Sequence, residues 1–148
     1  MQSGGKARTI LVVDDEQFVL NLCLRILAHA GYKVLTAING EGALDIARAY
    51  KHSIEVALID VMMPGLNGLA MADRLVKVHP ETSLVFMSDY QDYKISKFRP
   101  FSFKWFLRKP FKPADLIGII QQSFEEARKR GPHREGNVTY IREAGREY

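Results

Sequence analysis

Short apolar runs that break off abruptly at a residue able to do chemistry constrain this chain more than any other feature. Thr9-Ile10-Leu11-Val12-Val13 stops at Asp14-Asp15, and Val56-Ala57-Leu58-Ile59 stops at Asp60. Each run is too short for a helix that buries one stripe. Each is continuous rather than alternating, as expected of strands covered on both faces. Between and after them lie longer segments of helical period. Over residues 16–30, Val19, Leu22, Cys23, Ile26 and Leu27 recur on one side and Gly31 closes the segment. Residues 32–37 are predicted as a second strand, and Asn39-Gly40 as a turn. Residues 41–50 form a second helix, and residues 66–78 a third ended by Pro80. Residues 83–87 and 103–107 are a fourth and a fifth strand. Residues 113–130 are a last helix, with Pro113 in its first turn and Leu116, Ile117, Ile120 and Phe124 on one side.

Strands alternating with helices at this spacing predict an α/β fold around a parallel sheet, with right-handed crossovers putting helices on both faces. Two segments fit less well. A helix expected over residues 91–102 has a weak pattern and is limited by Pro100, so a short helix and an irregular aromatic connection are expected. Residues 131–148 are polar and without period. The expected organisation is a leader at 1–7, one domain at 8–130, and a tail at 131–148 that is disordered or pairs with a partner.

Composition narrows the function classes. A 47% hydrophobic fraction supports a core in a 148-residue chain, and no apolar run is long enough to span a bilayer. With no targeting signal, the expected location is the cytoplasm. One cysteine, Cys23, excludes an intrachain disulfide and reads as a core thiol. The net charge of +4 is scattered, apart from small clusters at Arg108, Lys109 and Lys112 and at Arg128, Lys129 and Arg130. No zinc-finger spacing or basic–aromatic sheet motif accompanies it, so direct nucleic-acid binding is not expected. The four histidines, His29, His52, His79 and His133, show no metal-ligand spacing and receive no role.

In an open α/β sheet, ligands bind beyond the carboxyl ends of the strands. There the pattern gathers Asp14 and Asp15 from the first strand, Asp60 from the third, Ser88 from the fourth and Lys109-Pro110 from the fifth. Clustered carboxylates repel and need a compensating cation. Mg2+, which prefers oxygen ligands, suits them. A carboxylate beside it could act as a nucleophile toward a phosphoryl group, with Lys109 opposing the developing charge. Asp14 and Asp15 alone could be helix caps, and Ser88 alone a loop residue. Their convergence with Asp60 and Lys109 argues for a site.

These residues resemble the response-regulator receiver domains of two-component signalling, of the small chemotaxis-regulator type. The resemblance rests on Asp14-Asp15-Glu16, on Asp60-Val61-Met62-Met63-Pro64-Gly65 with Gly68, on Ser88, and on Lys109-Pro110-Phe111. It covers roughly residues 8–130. It implies a flavodoxin-like, doubly wound sheet of five parallel strands in the order 2-1-3-4-5. It implies that Asp60 accepts a phosphoryl group, and that Asp15, Asp60 and the Met62 carbonyl bind Mg2+ directly, with Asp14 acting through a water. It further implies that Lys109, joined to Pro110 by a cis bond, pairs with the phosphoryl group, and that Ser88 and Phe106 form a switch pair. The implied donor is a histidine kinase or a histidine phosphotransfer protein, and the chain would act as a switch rather than an enzyme.

Two features depart from the family pattern. Asp89 stands where a small residue is usual, and is expected to alter the rate of phosphoryl gain or loss. The stretch containing Tyr90, Tyr93, Phe98, Phe101, Phe103, Trp105 and Phe106, interleaved with Lys94, Lys97, Arg99 and Lys104, is expected to form a homodimer or output-partner surface. Three rival readings are a Mg2+-dependent hydrolase with an aspartyl nucleophile, a receiver-like interaction module that works without phosphorylation, and the receiver piece of a larger regulator or hybrid kinase.

Overall fold

A computed structural model describes residues 7–89 and 104–130. The elements run β1 (Thr9–Val13), α1 (Gln17–His29), β2 (Lys33–Ala37), α2 (Gly40–Ala49), β3 (Val56–Asp60), α3 (Gly68–Val78), β4 (Ser83–Asp89), β5 (Phe106–Lys109) and α4 (Pro113–Arg130). The strands form one parallel sheet in the order β2-β1-β3-β4-β5. The family resemblance implied this doubly wound order. It arises because the chain steps from β1 outward to β2, then crosses back to β3 and continues the other way, so right-handed crossovers cover both faces.

The continuous apolar runs are explained by that double coverage. Leu11, Val13, Ala57, Ile59, Leu84 and Phe86 face one way and pack with Ala43, Leu44 and Ala47 of α2 and Leu69, Met71, Ala72 and Leu75 of α3. Their neighbours Ile10, Val12, Val56, Leu58, Val85, Met87 and Leu107 face the other way. They meet Val19, Leu20, Cys23 and Leu27 of α1 and Leu116, Ile120 and Phe124 of α4. Burying each such Leu, Ile or Phe contributes roughly 1.5–3 kcal/mol. Cys23 is a core thiol as expected, and burial pushes its pKa up to about 12, so it is held protonated.

Several boundaries differ from the sequence expectation for local reasons. Asn39 is not a reversing turn but the N-cap of α2, its side chain accepting from the Gly42 N–H at 2.7 Å. Asn67 caps α3 in the same way, accepting from Ala70 N–H at 2.9 Å, which starts that helix two residues later than expected. The fifth strand is Phe106–Lys109 rather than 103–107, because its pairing with β4 begins at Phe86 opposite Phe106 and runs to Asp89 opposite Lys109. The aromatic residues before it suggested a strand by propensity alone. Residues 1–6 of the leader expected at 1–7, the helix expected over 91–102 and the tail at 131–148 lie outside the described residues.

Two glycines hold the loop after β3. Gly65 has φ +76°, a left-handed conformation natural to glycine. At Gly68, the first residue of α3, a Cβ would overlap the backbone carbonyl of Asp60 and crowd Ile59. The Gly68 N–H donates to the Val61 carbonyl at 3.1 Å. Gly68 therefore lets α3 start directly against the strand end that carries Asp60. Gly68→Ala is expected to destabilise the fold by about 1–3 kcal/mol, read as a lower urea midpoint.

Candidate functional site

The register brings the polar strand ends together. Val13 pairs with Ile59 and Asp60 with Met87, so Asp14 and Asp60 leave adjacent strands at the same level. Asp89 pairs with Lys109 on the other side of β4. The Lys109–Pro110 bond is cis.

Asp14 and Asp60 are held alike. Oδ1 of Asp14 accepts from the Glu16 N–H at 2.9 Å, and Oδ1 of Asp60 from the Met62 N–H at 3.1 Å. In each case a backbone donor two residues on fixes one oxygen and leaves the other aimed at Lys109. The helix-cap reading of Asp14 and Asp15 fails, because the N-cap of α1 is Glu16 and its side chain makes no capping bond. Lys109 reaches across from β5. Its Nζ lies 2.8 Å from Oδ2 of Asp14, 3.4 Å from Oδ2 of Asp60 and 3.7 Å from Oε1 of Glu16. The contact with Asp14 is the shortest of these ion pairs. The Lys109 side chain is only 13% exposed, and Asp14 and Asp60 are buried.

The electrostatics follow from this packing. Burial pushes the Asp60 carboxyl up to about 7; the Lys109 charge opposes the rise and the Asp14 charge adds to it. Burial also raises Asp14, against its interaction with Lys109. For Lys109, burial alone would lower the pKa, but the bond to Asp14 and the charges of Asp60 and Asp14 outweigh it and hold the ammonium above its usual range. Among the described residues, one ammonium thus stands against several carboxylates.

Asp14, Asp15 and Asp60 fit a divalent cation. Each offers a carboxylate oxygen, and these atoms lie within 4.8 Å of one another, with Asp15 exposed and the other two buried. An all-oxygen, anionic set suits a hard ion. Met62 is half exposed at the same loop, its side chain turned outward to 43% exposure while its N–H binds Asp60.

The remaining predicted residues fall into place less tightly. Ser88 is buried one residue beyond Met87, and its Oγ donates a long 3.5 Å bond to the Asp89 carbonyl. Ser88 and Phe106 share the α3 side of the sheet, where Phe106 is half-buried against Phe86 and its cluster. Of the expected aromatic surface, Trp105 and Phe106 are half-buried core residues on opposite sheet faces; Tyr90, Tyr93, Phe98, Phe101 and Phe103 lie outside the described residues. Sequence reasoning missed Glu16 as a neighbour of Lys109, although its place directly after Asp14-Asp15 was a usable signal. It also gave no role to His79, which is buried, with Nε2 2.8 Å from the Ala47 carbonyl and Nδ1 3.0 Å from Oε2 of Glu81. That bridge ties the end of α2 to the end of α3, remote from the aspartates. No helix among the described residues is long and apolar enough to cross a membrane.

Comparison with known proteins agrees with this geometry. The family model described as the response regulator receiver domain matches residues 10–121. The chain is 31% identical over 119 residues to the sensor kinase CckA of Brucella abortus (strain 2308), covering 80% of this chain and 13% of that protein. It is 28% identical over 121 residues to the response regulator GtcR of Aneurinibacillus migulanus, covering 82% of this chain and 49% of the relative. The chain therefore spans half or less of the length of these two relatives. Among solved structures, it resembles a CheY-like response regulator receiver domain protein from Methanospirillum hungatei JF-1, with a TM-score of 0.74 and 25% identity. That match covers 85% of this chain and 100% of the other.

Proposed function

Because this chain belongs to the response regulator receiver domain family of two-component systems, we propose that Asp60 is its phosphoacceptor and that the domain, residues 8–130, is switched by phosphorylation there. The observation that carries the reading is the buried Asp60 carboxylate held between a backbone donor, Met62 N–H at 3.1 Å, and an ammonium, Lys109 Nζ at 3.4 Å. The donor is a phosphohistidine on a histidine kinase or a histidine phosphotransfer protein.

An Asp60 oxygen attacks phosphorus. A P–O bond forms as the donor's P–N bond breaks, and the imidazole nitrogen leaves with the bonding pair and takes up a proton. The Met62 N–H fixes the carboxylate for attack, and Lys109 follows the negative charge from Asp60 to the phosphoryl oxygens. Mg2+, held by Asp15, Asp60 and the Met62 carbonyl, with Asp14 through a water, would supply the further positive charge that keeps Asp60 ionised and offsets the phosphoryl oxygens. Ser88, whose hydroxyl bond is long, turns to a phosphoryl oxygen. Phe106, on the same side of the sheet, follows into the space released, shifting the population toward a second conformation. Water later attacks phosphorus, the acyl phosphate P–O bond breaks toward Asp60, and inorganic phosphate leaves. The domain thus transfers to itself and turns over no separate substrate, as a cytoplasmic switch for an output partner or a second copy.

The test is incubation with a small phosphodonor and Mg2+, followed by intact mass. Wild type is expected to gain one phosphoryl group and Asp60→Asn none. An adduct retained in Asp60→Asn would overturn the assignment, and no adduct with any donor would overturn phosphorylation itself.

A further inference from the structure

The amino edge of the sheet carries a pocket of its own. Arg8 directly precedes β1 and shares the alternation of Ile10 and Val12, so its side chain leaves on the face covered by α1 and α4. Its carbonyl accepts from the Lys33 N–H at 2.9 Å, which sets it beside the start of β2. On α4, Gln121, Phe124, Glu125 and Arg128 follow the i, i+3, i+4, i+7 spacing of one helix face. The two elements meet at Phe124. The Arg8 guanidinium lies over its ring, 4.5 Å from the centre, and Tyr32 packs against it with ring centres 5.5 Å apart. Arg8, Tyr32, Gln121, Phe124, Glu125 and Arg128 line one cavity of about 390 Å3. At about 3.3 Å per residue, Arg8 stands about 20 Å along β1 from Asp14, so this cavity is separate from the aspartate site.

The lining suits an anion. Stacking on Phe124 fixes the plane of the Arg8 guanidinium and leaves its N–H edge for a ligand. Burial raises the Tyr32 pKa against the influence of the Arg8 charge, so the hydroxyl keeps its proton and can donate. Among the described residues, no carboxylate forms an ion pair with Arg8 or Arg128. Glu55 and Glu81 share an adjoining cavity with both arginines, but each is engaged elsewhere. Glu55 Oε1 accepts from the Thr9 N–H at 2.7 Å. Glu81 Oε2 accepts from the Ile54 N–H at 3.3 Å and lies 3.0 Å from His79 Nδ1. These acids would repel a nucleic-acid strand laid along this edge, yet they leave room for one compact anion.

We propose that this cavity binds small phosphomonoesters, with the phosphoryl group between Arg8 and Arg128 and the organic part against Tyr32 and Gln121. Guanidinium forks match phosphate oxygens, and two of them match a dianion, whereas one would satisfy a carboxylate. Glu125 stands in the same cavity and opposes the ligand's charge.

The experiment titrates phenyl phosphate, a dianion at about pH 8, into the full chain in the presence of a chelator. Binding is followed through amide and arginine side-chain resonances in heteronuclear NMR. Saturable shifts are expected at Arg8, Tyr32 and residues 121–128. Arg8→Gln and Arg128→Gln should each weaken binding about tenfold or more, and Arg8→Lys, which keeps the charge but not the fork, by less. Glu125→Gln should tighten it about fivefold at low salt, the repulsion of one charge on a dianion across about 9 Å of water. Shifts centred on Lys109 instead, an affinity unmoved by Arg8→Gln and Arg128→Gln, or benzoate binding as tightly as phenyl phosphate would overturn the proposal. So would an affinity that Glu125→Gln leaves unchanged at low salt, a test that does not depend on the arginine variants.

Discussion

Asp60→Asn is expected to stabilise the metal-free protein at pH 8 by on the order of 2 kcal/mol, although Asp60 is the proposed phosphoacceptor. Burial, chiefly, raises the Asp60 carboxyl from 3.8 to about 7. The unfolded chain therefore releases this proton at a lower pH than the folded chain. Below about pH 4 the group is protonated in both states and costs nothing. As pH rises through 7 the folded state must ionise a buried carboxyl, and stability is lost across that window. The upper limit of the loss is about 4 kcal/mol. Asn recovers less than that. It keeps an oxygen for the Met62 N–H, but sets an amide group against the Lys109 ammonium. Urea unfolding in a chelator at pH 8 and pH 5 checks the sign: the gain should be large at pH 8 and small at pH 5. A loss of stability at pH 8 would mean that Lys109 more than compensates the buried charge.

Lys109→Met is expected to act in the opposite direction, destabilising the metal-free fold by about 3 kcal/mol at pH 8. Among the described residues, Lys109 is the cation within 4 Å of Asp14, Glu16 and Asp60. Without it, two buried carboxylates face each other with only their backbone donors to hold the charge. The damage should shrink at pH 5, where Asp60 takes up a proton. It should also shrink in an Asp60→Asn background, giving a coupling of about 1–3 kcal/mol in a double-mutant cycle. Independent, additive effects of the two substitutions would show that the ion pair between β3 and β5 contributes little. The opposite signs of the two single substitutions separate this account from one in which every substitution at a packed site merely disrupts it.

The placement of the candidate site residues at one edge was legible in the sequence because they end apolar strands. An aspartate or lysine that stops a buried run must emerge at the carboxyl edge, and parallel strands emerge at the same edge. That reasoning found Asp14, Asp15, Asp60, Ser88 and Lys109 without knowing the register. It could not tell that Lys109 would sit closer to Asp14 than to Asp60, because that depends on side-chain reach across β3. Nor could it weigh Asn39 correctly. An Asn-Gly pair signals a reversal by local propensity, and only the packing of α2 against the sheet makes it a helix cap. The fifth strand was misplaced because its aromatics favour strand conformation both before and after Phe106, and the ladder with β4 decides where pairing starts. His79 was invisible for a related reason. Its partners, Ala47 and Glu81, come from different elements, and no spacing in the chain announces that bridge.

The most direct measurement is the location of the phosphoryl group. After phosphorylation in Mg2+, reduction of the acyl phosphate with borohydride and peptide mass spectrometry should find the modified residue at position 60, with Asp14, Asp15 and Asp89 intact. Label at any of those three, or a stable label surviving in Asp60→Asn, would contradict the claim that the carboxylate between Met62 N–H and Lys109 is the acceptor.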